Sequence, residues 1–215
     1  MNINADGSPA VKSMKIERLP GKLNGPSKVK DTPWKNECRP WTKWPHTSNR
    51  MHTSAEVHFM YRLAKSIPEG NILNLGVGKG ISTSSFAFGF KEVSKRFSQI
   101  IGIDLFNHWW YITKEELEKR FKEHEIDRYI TLCQGFTHEL VDIIPGKYQL
   151  IFIDADHHYE TTKQDFELWS PTLEKGGLIM FHDSNMNTVN RVIEELDAKW
   201  KLVNHVWSLK VFKHE

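Results

Sequence analysis

The chain has 215 residues, with 29 Lys and Arg against 27 Asp and Glu, a near balance that argues neither for nor against nucleic acid. That length suits one α/β domain with a substantial core and a small appendage. Cys38 and Cys133 are the only cysteines, which excludes a disulfide framework and a paired-cysteine zinc motif. No apolar signal core or membrane-length stretch stands out, so the expectation is a cytoplasmic protein with no membrane partner.

Charge is uneven along the chain. Residues 1–50 carry ten Lys and Arg against four Asp and Glu, and the remainder is acidic. Residues 1–33 are polar, rich in Gly, Pro, Lys and Asn, and read as a loose arm. Over residues 34–52, Trp34, Trp41 and Trp44 are interleaved with Lys35, Arg39, Lys43, His46, Arg50 and His52. Three tryptophans so close together need cover. Packing against the domain, a lid over an acceptor pocket and an aromatic-basic nucleic-acid surface are the competing readings. Residues 1–52 are thus an arm and lid segment, and residues 53–215 the main domain.

Thr53 with Glu56 has capping-box spacing, and Val57, Met60, Tyr61 and Ala64 continue at helical intervals until Pro68 and Gly70. Residues 72–75 form a short buried strand. A glycine turn and a helix to about Phe97 follow, then a strand over 99–104. Thr113 and Glu116 open an exposed helix to about His124. A strand over 129–134 leads to a short helix ending near Pro145 and an apolar strand over 148–154. A helix over 159–169 precedes the Gly176-Gly177 turn, a strand over 178–183 and a helix over 188–200. Two short strands, 202–206 and 209–212, close the chain. Alternating strands and helices predict an α/β, doubly wound, mostly parallel seven-stranded sheet with an antiparallel C-terminal strand.

The stretch Asn74-Leu75-Gly76-Val77-Gly78-Lys79-Gly80 is a ligand cradle at the carboxyl end of a strand. Ile81 stands where a dinucleotide fingerprint needs glycine, and Lys79-Gly80-Ile81 lacks the Gly-Lys-Ser/Thr of a phosphate loop. Ser82 and its hydroxyl neighbours begin the next helix, whose N-terminus favours an anionic group. Asp104, at the next strand end, could accept both hydroxyls of a ribose, and Phe106 could cover an adenine face. Gly135 and Phe136 end the third strand, where an adenine edge would lie. A plain tight turn and ordinary loop capping are the rival readings.

The second constellation is Asp154-Ala155-Asp156-His157-His158-Tyr159, followed by His182-Asp183 at the neighbouring strand end. Acids and histidines at adjacent strand ends are poor core material and would converge beside the cradle. Together with the glycine stretch, this pattern resembles class I S-adenosylmethionine (SAM)-dependent methyltransferases, especially bacterial and phage sugar and antibiotic O-methyltransferases and cephalosporin-hydroxylase-like proteins. It is more distantly similar to catechol and caffeoyl-CoA O-methyltransferases. The resemblance spans about residues 53–213.

That resemblance implies that Gly76, Gly78 and Gly80 hold the methionine part of SAM, with Ser82, Asp104, Phe106, Gly135, Phe136 and Asp154 completing the cofactor site. Asn74 stands where relatives usually carry an acid that meets the cofactor's amino end. A divalent cation, Mg²⁺ or Mn²⁺, would map onto Asp154, His182 and Asp183, although His182 replaces an acid. Asp154, His157 and His182 are the implied catalytic residues, with His157, partly neutral near pH 7, at the position of a base. The expected activity is O-methylation of a small hydroxylated acceptor such as a sugar. A nucleic-acid methyltransferase using the basic arm is disfavoured, because Asp154-Ala155-Asp156-His157 is not the Asn/Asp-Pro-Pro-aromatic motif of the amino-methylating DNA enzymes. A non-catalytic SAM-binding protein is the other alternative, and self-association as a homo-oligomer stays open.

Overall fold

In the computed structural model, residues 52–107 and 112–215 are described. The expected arm and the tryptophans of the lid segment lie outside them. Helix α1 (Ser54–Ser66) starts at a capping box in which the Thr53 hydroxyl accepts from Glu56 N and a Glu56 oxygen accepts from Thr53 N. It is followed by β1 (Asn71–Leu75), α2 (Ile81–Glu92), β2 (Ile100–Asp104), α3 (Lys114–Glu123), β3 (Ile130–Gln134), β4 (Tyr148–Ile153) and α4 (Tyr159–Trp169). The chain then forms β5 (Leu173–Phe181), α5 (Asn187–Glu194), β6 (Trp200–Val206) and β7 (Leu209–His214). The strands lie in the order β3-β2-β1-β4-β5-β7-β6. Strands β1 to β5 pair in parallel, and β7 runs antiparallel to both β5 and β6.

Period-two alternation divides each central strand between two cores. Ile72, Leu150, Phe152, Leu178 and Met180 face α1, α2 and α3, whereas Leu73, Leu75, Ile151, Ile153, Ile179 and Phe181 face α4 and α5. A fully buried aliphatic or aromatic side chain is worth about 1.5–3 kcal/mol relative to its exposed state, so these two layers are what hold the strand ends in place. Among the described residues no helix is long and apolar enough to cross a membrane.

Several boundaries differ from expectation. Helix α2 stops at Glu92, because Ser94 takes a positive φ and Glu69 draws the following chain away by accepting from Arg96 N, Phe97 N and the Ser98 hydroxyl. Helix α5 stops at Glu194, and Trp200 instead begins β6, with its ring against Phe166 and His214. Strand β5 begins at Leu173, with the Gly176-Gly177 pair inside it beside a register shift against β4. The expected helix before Pro145 is a single 3₁₀ turn, Thr137–Glu139.

That turn is tied to α4 through Asp165, which is buried and takes a hydrogen bond from the Thr137 hydroxyl. Burial pushes the Asp165 carboxyl up to about 6, although the Thr137 hydroxyl opposes the shift. Because the folded value lies above the unfolded one, the fold favours the neutral acid. Its ionisation costs stability above about pH 6, and that cost fades as pH falls toward 4. Asp165→Asn is therefore expected to be more stable than wild type at pH 8 by on the order of 2 kcal/mol, with the gap closing by pH 4. Urea denaturation across that range measures it, and a gap that does not change with pH would reject burial as the cause.

Candidate functional site

The glycine turn after β1 packs directly onto the exit of β4. A Cβ on Gly76, whose φ is +88°, would come 2.1 Å from the Asp154 carbonyl oxygen. Only glycine permits that approach. Gly80 has a different role, because a Cβ there would meet Leu117 of α3 at 2.7 Å. Gly78 also has a positive φ, of 51°. Within the turn, Val77 N and Gly78 N both donate to Asp104 Oδ2, and Phe106 N donates to Oδ1.

A carboxylate has about four acceptor positions, so Asp104 keeps roughly one, on Oδ1, rather than the pair that two ribose hydroxyls would need. Phe106, at φ +50°, packs partly buried against the first core, and Phe136 is 50% exposed beyond Gly135. Asn74 and Ser82 are buried. The Asn74 amide donates to the Ser82 and Thr83 hydroxyls, while its Oδ1 has no partner among the described residues.

Parallel pairing sets the second half of the site. Ile153 is in register with Phe181, and His182 N donates to Ile153 O at 3.1 Å, so the residues leaving β4 and β5 sit side by side. Asp183 has a φ of +48°, a conformation that Asp tolerates better than most residues. Asp154, His157, His182 and Asp183 each offer a ligand atom within 4.8 Å of the others. His182 Nδ1 lies 3.0 Å from Asp154 Oδ1 and 3.2 Å from Asp183 Oδ2, and His157 Nε2 lies 2.9 Å from Asp183 Oδ2. The rest of the expected constellation lies elsewhere, since Asp156 and His158 pair with each other in an exposed contact.

Sequence reasoning missed two members. Glu56 was accounted for by the capping box, which occupies only Oε2. Its Oε1 accepts from Ser208 N and the Ser208 hydroxyl and lies 3.8 Å from His182 Nε2. His52 was read with the basic, tryptophan-rich segment. Its Nδ1 lies 3.0 Å from His182 Nε2, and its Nε2 lies 3.6 Å from Asp154 Oδ2. The spacing of His52 and Glu56, four apart at a helix start, was the available signal.

Charge in this cluster is strongly coupled. Contacts to Asp154 and Asp183 push the His157 imidazole up to about 10 against the effect of burial. Burial would lower His182, but the charge of Asp154 and the surrounding carboxylates push it up to about 12. Burial would raise Asp183, but the two imidazoles hold it well below the ordinary carboxylate range, and Asp154 is lowered in the same way. The two carboxylates thus favour the charged form of His157, whereas the sequence reading has it partly neutral near pH 7.

The same geometry suits a cation. His182 is 5% exposed, yet its Nδ1 makes no directed hydrogen bond, and neither does His157 Nε2, although carboxylate oxygens crowd both atoms. Ligand atoms that converge without bonding one another are what a divalent ion would satisfy, and two carboxylates with one imidazole suit Mn²⁺ better than Mg²⁺.

The profile of a family described as a methyltransferase domain matches residues 73–184, more than half of the chain. An uncharacterized protein of Acanthamoeba polyphaga mimivirus is 31% identical over 67 residues, covering 27% of this chain and 30% of that protein. The chain spans less than a third of the curated relatives it matches. Among solved structures, the SAH-bound methyltransferase PaMTH1 of Podospora anserina superposes with a TM-score of 0.65 at 13% identity, covering 85% of this chain and 87% of that one. CalS11, a TDP-rhamnose 3′-O-methyltransferase of calicheamicin biosynthesis, gives 0.61 at 20% identity, covering 87% of each.

Glu56 provides a test of the electrostatics. Burial would raise its carboxyl, but the neighbouring His182, 3.8 Å away, and hydrogen bonds from Ser208 and Thr53 N hold it down at about 2. A depressed carboxylate contributes stability that is present above its unfolded value near 4.5 and lost as pH falls toward 2. Glu56→Gln is expected to cost on the order of 2–3 kcal/mol at pH 7. Equilibrium denaturation should show the deficit narrowing between pH 4.5 and 3, and an unchanged deficit there would refute the charged role.

Proposed function

The chain belongs to the methyltransferase domain family, and from that membership we propose that it transfers the methyl group of SAM to a hydroxyl of a small acceptor such as a sugar. The carrying observation is the contact between the glycine turn and the acid–histidine cluster, since Gly76 abuts the Asp154 backbone. This adjacency supports reading the turn as the cofactor cradle and the acids as the acceptor side, because methyl transfer needs the two side by side. The sugar is favoured by the likeness to CalS11, whose acceptor is a TDP-linked rhamnose.

SAM, when bound, supplies a methyl group on a sulfonium whose leaving group is a neutral thioether. Gly76 and Gly78 leave room for its methionine part, and the unpartnered Asn74 Oδ1 is an acceptor for its ammonium. The remaining acceptor position of Asp104 takes a ribose hydroxyl, with Phe106 and Phe136 flanking the adenine. With SAM bound, the acceptor oxygen would bond to the methyl carbon as the carbon–sulfur bond breaks, releasing the neutral thioether, and the hydroxyl proton would pass to His157. A divalent cation on Asp154, His182 and Asp183, when bound, supplies Lewis acidity to that hydroxyl. His157 holds a proton between Asp154 and Asp183 as long as both carboxylates are otherwise unneutralised, and becomes a base when their charge is met in another way.

His52, the last residue of the expected lid segment, touches the cluster. The tryptophans of that segment lie outside the described residues.

Two measurements test this reading. SAM is expected to bind with micromolar affinity by calorimetry, about −8 kcal/mol, and Asp104→Ala to weaken it by ~1–3 kcal/mol. Absence of SAM binding would end the proposal. Methyl transfer to TDP-sugars should fall after chelation and return with Mn²⁺, and Asp154→Ala and Asp183→Ala should abolish the recovery. Full turnover in chelator would leave the enzyme reading intact and remove the metal.

A further inference from the structure

His182 is the member of the cluster with two functional nitrogens. Nδ1 faces Asp154 and Asp183, and Nε2 faces His52 Nδ1 at 3.0 Å. Two ring nitrogens at that distance share one proton, and its location decides what the other side of His182 can do. A proton on His52 Nδ1 would force His182 to carry its own on Nδ1, blocking that atom as a ligand. A proton on His182 Nε2 would leave Nδ1 with a bare lone pair.

A cation held beside Asp154 and Asp183 requires the second arrangement, since their oxygens would otherwise draw a proton onto Nδ1, and the surroundings of His52 are compatible with it. His52 Nε2 lies 3.6 Å from Asp154 Oδ2, so a proton on Nε2 of a neutral His52 faces negative charge and leaves Nδ1 free to act as the acceptor. Glu56 Oε1, 3.8 Å from His182 Nε2, adds negative potential on the same side, yet it is too distant to be the partner and already accepts twice from Ser208. The His52 side chain is 3% exposed, so water does not replace it easily. The two rings meet edge to face, with centroids 4.4 Å apart, a contact that holds the His182 ring plane.

We propose that His52 is a positioning residue of the cation site, accepting the Nε2 proton of His182 so that Nδ1 is presented, bare and oriented, beside Asp154 and Asp183. The inference rests on the metal reading above. It also couples that site to the N-terminal segment, because the partner that sets the His182 tautomer is the residue at which that segment joins the domain. Partners of this kind around metal-bound histidines are worth roughly 10–100-fold in affinity.

The test is Mn²⁺ binding to the full-length chain, read from the electron paramagnetic resonance of the free ion, with SAM affinity followed in parallel. His52→Phe keeps an aromatic ring without the acceptor and should weaken Mn²⁺ by about 10–100-fold while SAM affinity holds. His52→Asn, whose Oδ1 can stand in for Nδ1, should restore most of the loss. Nitrogen-15 spectra of the Mg²⁺-loaded wild type should place the His182 proton on Nε2. Wild-type Mn²⁺ affinity in His52→Phe, or a proton on His182 Nδ1, overturns the proposal. If His52→Phe loses SAM binding as well, the wild-type tautomer decides alone. A wild type that binds SAM but neither cation removes the metal reading, and this inference with it, a result distinct from a metal-binding wild type whose His52 variants bind equally well.

Discussion

The near contact between Gly76 and the Asp154 carbonyl is the constraint on which the site depends. At 2.1 Å from a Cβ that is not there, the turn after β1 and the exit of β4 are as close as backbone allows. The Asp154 N–H donates to Leu75 O, which continues the β1–β4 ladder to the last residue before the turn. The cradle and the first acid are thus parts of one hydrogen-bonded edge. Relative motion of the two would require breaking sheet, so their spacing is inherited from the most buried part of the molecule. The β5 exit is fixed in the same way, through His182 N to Ile153 O. Side chains on such rigid strand ends can hold a reacting geometry that a free loop cannot.

The electrostatic consequence follows from that rigidity. Asp154, Asp183 and Glu56 surround the buried His182, and three carboxylates there stay ionised only with positive charge beside them. Protons on His157 and His182 are one source of it, and a divalent ion is another. The raised imidazoles and lowered acids describe the first state. The undirected contacts at His182 Nδ1 and His157 Nε2 suit the second, since imidazolium protons would be expected to point at their acceptors. Either source would meet the same charge deficit, and His182 Nδ1 would carry a proton in the first case and be bare in the second.

The fold was legible because its signals are local. Short apolar runs, capping boxes at Thr53 and Thr113 and glycine at strand exits each have a physical cause within a few residues. The parallel order then brings Asp154 beside His182 with little further information, because both end neighbouring strands. What stayed hidden was set by distant groups. Helix α2 ends where it does because Glu69, in a different connection, takes three donors from the chain beyond it. Glu56 satisfied one local role so well that its second oxygen, bound 152 positions away at Ser208, left no trace in the spacing. Asp104 was correctly placed beside the cradle, yet its use of acceptor capacity on Val77, Gly78 and Phe106 depends on how the turn folds back.

The histidine at position 182 gives the cluster its character. An acid there would add a further negative charge to a space already holding Asp154, Asp183 and Glu56, and only a bound cation or captured protons could offset it. Imidazole instead offers one neutral ligand nitrogen and one donor, so the site can remain assembled without metal, with the acids neutralised by protons. The cost is weaker attraction for hard ions, and a dependence on whatever holds the second nitrogen. Glu56 and His52 lie on that side of the ring, one anchored to the turn between β6 and β7 and the other at the start of the domain. The acid–histidine cluster is therefore connected to both ends of the described domain through a single buried ring.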